Sequence, residues 1–384
     1  LSRRSRLIYS PDYTAYYFHK EHPFNQRRLI LTHDLLTRYG LLRAEDIVPP
    51  RSATDEELAL IHDRQYIETV RAQGHSASEL PTAASHGLGT EDVPCFPRMH
   101  EAASLIVGGT LQAVDLVMNG EADHAFNPAG GLHHAFRGRA SGFCIYNDCS
   151  VAIAYLRKHW DARVLYIDTD AHHGDGVQWA FYDDPHVLTV SIHETGKYLF
   201  PGTGDLSERG TGEGYGYTVN VPLDAFTEDD SFLEVYREVV PKVARGFKPD
   251  VIVTQNGCDA HAYDPLTHLS CSIGIYQQIP RLAHQLAHEL CGGRWIAVGG
   301  GGYDIWRVVP RAWTLLWSEM TDQPLEDGPL PAGWRERWSQ ESDVPLPERL
   351  FDDAEQLPVI PRRREITEKN RIMAERALLH APQG

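Results

Sequence analysis

The chain has 384 residues, 53 acidic and 36 basic, for a formal charge of −17 at pH 7. That acidity weighs against general nucleic-acid binding and is compatible with a basic substrate; the 42% hydrophobic content is enough for one large α/β domain or two smaller ones. No apolar run approaches the roughly 18–20 residues of a membrane span, no apolar signal core follows the basic start Leu1-Ser2-Arg3-Arg4-Ser5-Arg6, and six scattered cysteines without a C-x-x-C pair fit reduced thiols. The expectation is a cytoplasmic protein without membrane or nucleic-acid partners.

In chain order, apolar β-branched runs alternate with helical periodicity. Strands are predicted at Arg6–Tyr9, Ala122–Asn127, Arg163–Asp168, Val187–His193, Thr218–Leu223, Asp250–Gln255 and Arg294–Gly299. Helices are predicted at Gln26–Tyr39, Asp55–Arg71, Pro97–Asn119, Asn147–His159, Asp229–Arg245, Gly274–Leu290 and Tyr303–Glu319. The alternation implies βαβ units, hence a single-domain α/β fold with a mostly parallel central sheet and helices on both faces. Residues 1–320 are read as this domain. Residues 321–384, Pro-rich and charged, are read as a tail that wraps it and ends in a helix near Glu365–Leu379.

Ligands of such folds gather beyond the carboxyl ends of the strands, and the polar clusters fall there. Asp170 and His172, in Asp168-Thr169-Asp170-Ala171-His172-His173-Gly174-Asp175, sit two apart at a strand end and can point the same way. With Asp259 they make three ligands and leave a position open, the pattern of a catalytic metal site. In Gly130-Gly131-Leu132-His133-His134, the adjacent histidines suit proton transfer if each is oriented by a carboxylate, and Asp168 and Asp175 are available for that. Four glycines, Gly299 to Gly302, deliver Tyr303, whose hydroxyl could donate to a developing oxyanion.

Together these segments, with Ser141-Gly142-Phe143-Cys144 and Phe200-Pro201-Gly202-Thr203-Gly204, resemble the histone deacetylase superfamily of the arginase–deacetylase fold, from about Leu7 to Met320. Asn256-Gly257-Cys258-Asp259-Ala260-His261 and Asp264-Pro265-Leu266-Thr267-His268 look most like the bacterial acetoin-utilisation branch. The resemblance implies one Zn²⁺ on Asp170, His172 and Asp259. It implies His134 backed by Asp175 as general base and acid, His133 backed by Asp168 as its electrostatic support, and Tyr303 polarising the acyl carbonyl. An acyl-lysine arm would lie between Phe143 and Phe200 over Gly142, near Gly301 and with Leu266 at the rim, and Arg28 would line an internal exit channel. It also implies structural K⁺, one ion on Asp168, Ser191 and the backbone of Asp170, His172 and Ile192, a second on the backbone of Phe181, Val187 and Tyr217. The implied activity is removal of acetyl or short acyl groups from protein lysines, with a metabolic enzyme such as an acetyl-CoA synthetase as partner, by a monomer or weak homo-oligomer.

Two positions depart from the pattern. The rim loop Glu91-Asp92-Val93-Pro94-Cys95-Phe96-Pro97 does not single out the Asp that grips substrate backbone in relatives, and Leu199 stands where some relatives have a second Phe. Three other readings stay open. An arginase-type enzyme with two Mn²⁺ resembles Asp-Ala-His-x-Asp, where this chain has glycine at position 174 in place of the second acid. A non-catalytic acyl-lysine binder would keep the fold without cleavage. An acetylpolyamine amidohydrolase would share the core but carry an acid at the position of Leu266.

Overall fold

The computed structural model describes residues 4–383, so Leu1 to Arg3 of the basic start and Gly384 lie outside the described residues. Among the described residues, eight strands form one parallel sheet: β1 (Ser5–Ile8), β2 (Ile47–Val48), β3 (His124–Asn127), β4 (Val164–Asp168), β5 (Val187–Glu194), β6 (Thr218–Leu223), β7 (Val251–Gln255) and β8 (Trp295–Val298). Their order is β2-β1-β3-β8-β7-β4-β5-β6. Every residue of β3, β4, β5, β7 and β8 is buried, which is why these strands read as continuous apolar runs rather than alternating ones. The two-residue β2, half-buried at the sheet edge, is too short to leave a period and was not expected from the sequence.

Helices cover both faces. One group is α2 (Asp55–Leu58), α3 (Arg64–His75), α4 (Met99–Met118), α5 (Asp148–Trp160) and α6 (Asp175–Ala180). The other is α1 (Arg27–Arg38), α7 (Asp229–Phe247), α8 (Ile275–Leu290), α9 (Val309–Met320), α10 (Ala332–Trp338) and α11 (Arg363–Ala377). The sequence implied one helix over 55–71; the chain instead makes a short capped turn, with Thr54 accepting from the Glu57 amide, and restarts at Arg64. α4 begins at Met99 because Arg98 holds a left-handed φ of 58°. α9 begins at Val309, with Pro310 in its first turn, so Tyr303 lies on the preceding loop and not on the helix. The short α6 and α10 had no sequence signal of their own.

α4 also corrects the reading of the chain as free of span-length apolar segments. Its 20 residues are long and apolar enough to cross a membrane by length and composition alone. Its 18-residue window is 67% buried inside the protein, where it packs on α5, β3, β1 and β8 as a core helix.

Beyond Met320 the chain stays in contact with the rest. Asp352 takes hydrogen bonds from Arg311 Nη2 (2.8 Å) and the Ile273 amide (2.7 Å) and faces His261 Nε2 at 2.8 Å. On α11, the buried Asn370 donates to Thr227 Oγ1 (2.8 Å) and Ser231 Oγ (2.9 Å) and accepts from the Asp224 amide (2.9 Å).

Candidate active site

Strands β3, β8, β7 and β4 are neighbours in the sheet, so the segments that leave their carboxyl ends converge although they are distant in sequence. They are the His133–His134 segment, Gly299 to Tyr303, Gly257 to Asp259, and Asp168 to Asp175. A parallel arrangement brings all four strand ends to one edge.

At the centre, His172 Nδ1 lies 2.8 Å from Asp259 Oδ2 and 3.2 Å from Asp170 Oδ1. The other carboxylate oxygens are held from behind. Asp170 Oδ2 accepts from the Gly301 amide (2.7 Å) and Gln255 Nε2 (2.8 Å), and Asp259 Oδ1 accepts from the Ala171 amide (2.8 Å). This backing aims one oxygen of each Asp and the Nδ1 of His172 at a common point, as outer hydrogen bonds orient metal ligands. Asp170, His172 and Asp259 form a group whose ligand atoms lie within 4.8 Å of one another and could hold a metal ion. All three are buried. Burial opposes charge on His172, but the two carboxylates outweigh it and hold its pKa well above the usual value; burial, then Asp170, pushes Asp259 up to about 6. Two buried carboxylates against one imidazole leave an excess of negative charge that a bound divalent cation offsets. The donor set therefore fits such an ion.

Two further histidines flank this group. His133 Nδ1 donates to Asp168 Oδ2 at 2.7 Å, an oxygen that also accepts from the Tyr166 hydroxyl at 2.7 Å. His134 Nδ1 donates to Asp175 Oδ1 at 2.7 Å, which leaves its Nε2 for the site. The environments push the two rings apart. Burial works against charging His133, yet Asp168 and Asp170 outweigh it and raise its pKa to about 9. For His134, burial and the neighbouring His133 outweigh Asp175 and lower the pKa.

The Tyr303 ring lies 6.4 Å from that of His172 and 5.7 Å from that of Phe143. Burial, then Asp259 and Asp170, hold its phenol well above the usual pKa, so it remains a donor. Phe200, 42% exposed, stands 5.1 Å edge-on from His134. Gly142 packs under His134 at φ 52°; a Cβ there would lie 2.5 Å from the imidazole. Gly301 serves the carboxylates, since a Cβ there would lie 2.2 Å from Asp259 Oδ2. Leu266 is half-buried, its amide bonded to Asp264 Oδ1 at 2.9 Å. Leu199 is buried. On the rim loop Asp92 is exposed, and its carbonyl faces His22 Nε2 at 3.1 Å.

Arg28 is fully buried between the Phe24 and Trp313 rings (4.7 and 5.0 Å). It donates to the Gly302 carbonyl at 2.9 Å, and its Nη2 has no hydrogen-bond partner among the described residues. Of the residues proposed for potassium, Asp168 and Ser191 are paired in register between β4 and β5, with Ile192 next on β5. Phe181 and Val187 flank the turn from α6 to β5, and Tyr217 precedes β6.

Sequence reasoning missed several supports. Gln255 links Asp170 Oδ2, the Gly131 carbonyl (3.1 Å) and the Gly257 amide (2.8 Å). Its signal is a polar residue closing an otherwise apolar strand. Asp264 takes the Tyr303 amide at 3.0 Å. Asp148 takes the Gly131 amide (3.0 Å) and Leu132 amide (2.8 Å) beneath the two histidines.

A parallel eight-stranded sheet with this carboxylate–histidine cluster at its strand ends is the arginase–deacetylase fold. The solved HDAC homolog from Aquifex aeolicus superposes with a TM-score of 0.84 at 33% identity, covering 96% of this chain and 100% of that one. An HDAC homolog complexed with SAHA gives 0.84 at 34% over the same shares. The histone deacetylase domain matches residues 22–320, and the chain belongs to that family. Among curated relatives, the acetoin utilization protein AcuC of Bacillus subtilis (strain 168) is 60% identical over 377 residues, 98% of this chain and 97% of that protein. The AcuC protein of Staphylococcus aureus (strain MRSA252) is 49% identical over 371 residues, 97% and 95%.

Proposed function

We propose that the protein is a zinc-dependent deacetylase that hydrolyses the amide of acetyl-lysine, or a related short acyl-lysine, in proteins, releasing acetate and free lysine. The observation that carries this is the grouping of two carboxylate-backed histidines and a buried tyrosine around Asp170, His172 and Asp259. Those three residues would hold the metal. When bound, it supplies Lewis-acid polarisation of the acyl oxygen and makes water a better nucleophile near neutral pH.

The chain supplies the rest. His134 Nε2, with Asp175 behind Nδ1, takes the proton from the attacking water. Water oxygen bonds to the acyl carbon and the C–N bond breaks. The proton held on the histidine pair passes to the leaving lysine nitrogen. His133, kept charged between Asp168 and Asp170, offsets negative charge that develops beside it. The Tyr303 hydroxyl donates to the acyl oxygen as it gains charge. Phe143 and Phe200 suit an uncharged methylene arm better than a charged amine, whose desolvation would be costly. In the same reading K⁺ ions occupy the Asp168–Ser191 strand ends and the Phe181, Val187 and Tyr217 backbone, Arg28 lines the exit for acetate, and the enzyme works in a cytoplasm on an acylated metabolic enzyme such as an acetyl-CoA synthetase. The names of its AcuC relatives, acetoin utilization proteins, support a metabolic role.

The test is kcat/KM for an acetyl-lysine peptide against N-acetylputrescine, in the native enzyme and in Leu266→Glu. The native enzyme should favour the peptide, and the substitution should narrow the gap by giving the free ammonium a counter-charge. A native preference for N-acetylputrescine would overturn the protein substrate and support a polyamine one.

A further inference from the structure

At the opposite end of the strands lies a second group of histidines that the deacetylase reading does not use. His124 is the first residue of β3. His284 and His288 stand one turn apart on the last two turns of α8, on the same face. The ring centroids are 4.5 Å (124 to 284), 5.1 Å (124 to 288) and 4.8 Å (284 to 288) apart. One ligand nitrogen from each lies within 4.8 Å of the others.

Two details point to a ligand. The Nε2 atoms of His284 and His288 face each other at 3.0 Å. That is close to the roughly 3.3 Å edge of a tetrahedron with metal–nitrogen bonds of about 2.0 Å. His124 is 4% exposed, and its Nδ1 has no hydrogen-bond partner among the described residues. A buried polar nitrogen left unpaired is costly and calls for a partner.

The surroundings fit a small cation held by nitrogen. Trp295 stacks on His284 (5.7 Å, 28°) and closes the inner side. Exposed His288 opens the outer side to solvent. The Asp322 carboxylate lies 3.9 Å from His284 Nδ1, beyond hydrogen-bond distance, while the nearby Glu319 carboxylate is taken by Arg281 at 2.8 Å. An all-imidazole set selects Zn²⁺, Cu²⁺ or Ni²⁺ over the oxygen-seeking Mg²⁺ and Ca²⁺.

We propose that His124, His284 and His288 form a second metal site, a three-imidazole clamp for a divalent cation of the zinc class that ties the start of β3 to the end of α8. The site is separate from the Asp170–His172–Asp259 group and does not depend on how that group is read. Its role is structural, because no acid–base or oxyanion group converges on it among the described residues.

The experiment titrates Zn²⁺ into chelator-stripped full-length protein, counts tightly bound zinc by elemental analysis, and follows Tm. The native protein should bind two equivalents. His288→Gln, at an exposed position that tolerates change, should bind one, lose the zinc-dependent rise in Tm belonging to the second site, and keep native deacetylase turnover once reloaded. His284→Gln should do the same, with second-site affinity falling more than about 100-fold, beyond the 10–100-fold loss of an outer-shell partner. His172→Ala should keep the second equivalent. A His172→Ala protein that binds no zinc, or a His288→Gln protein that binds as many equivalents as the native protein with an unchanged Tm rise, overturns the proposal.

Discussion

β3 has a histidine cluster at each end, and the two differ in what stands behind the rings. Beyond its carboxyl end, His133 and His134 each donate Nδ1–H to a buried carboxylate at 2.7 Å. His172 lies against two more. At its amino end, none of His124, His284 and His288 has a carboxylate at hydrogen-bond distance among the described residues, and Asp322 approaches only to 3.9 Å. A carboxylate partner fixes the tautomer and makes the far nitrogen more basic, which proton transfer needs. Rings without one can pack on an aromatic and serve as passive ligands. The same residue type thus does different work at the two ends of one strand, and the carboxylates decide which.

Breaking the paired cluster should have the larger consequences. Asp259→Ala removes a proposed metal ligand and should abolish both deacetylation and the zinc equivalent at that site. Full activity in a metal-free Asp259→Ala protein would remove the metal from the reading. His134→Ala should keep zinc but lower kcat by roughly 10²–10⁴-fold, the scale of a lost general acid–base group. His284→Ala, in the unpaired cluster, should turn over normally, and the contrast between the two alanines measures the comparison directly. Tyr303→Phe, which deletes one donor to the acyl oxygen, should cost about 10²–10³-fold with zinc retained; unchanged turnover would make that tyrosine structural.

A smaller effect concerns another carboxylate-paired histidine, His261, whose partner Asp352 comes from beyond Met320. Asp352→Ala leaves the fully buried Arg311 without its carboxylate and should destabilise the protein by about 3–5 kcal/mol in denaturant unfolding. Burial opposes ionising Asp352, but His261 and Arg311 outweigh it and hold its pKa below the usual carboxylate range. A carboxylate depressed in the folded state contributes stability that is present above its unfolded pKa of about 3.9 and lost as pH falls below that. The native protein should therefore lose more stability than Asp352→Asn between pH 5 and pH 3, approximate bounds set by that unfolded pKa. Parallel loss in both would detach the pair from the acid limb.

Sequence alone identified seven of the eight strands and the order of most helices, because strands buried on both faces and amphipathic helices leave periods in the chain. It also identified the residues that make up the central cluster, since Asp170 and His172 stand two apart just beyond the end of β4 and His133 and His134 are adjacent. It could not show what reaches them from elsewhere. Gln255 braces Asp170 from another strand, Asp264 receives the Tyr303 amide across a gap of 39 residues, and Asp352 meets His261 across 91. His124 meets His284 and His288 only because β3 lies beside β8 with α8 packed close by. Spacing along the chain records contacts within one element; contacts between elements depend on strand order and helix packing, which the burial of the whole apolar core decides at once.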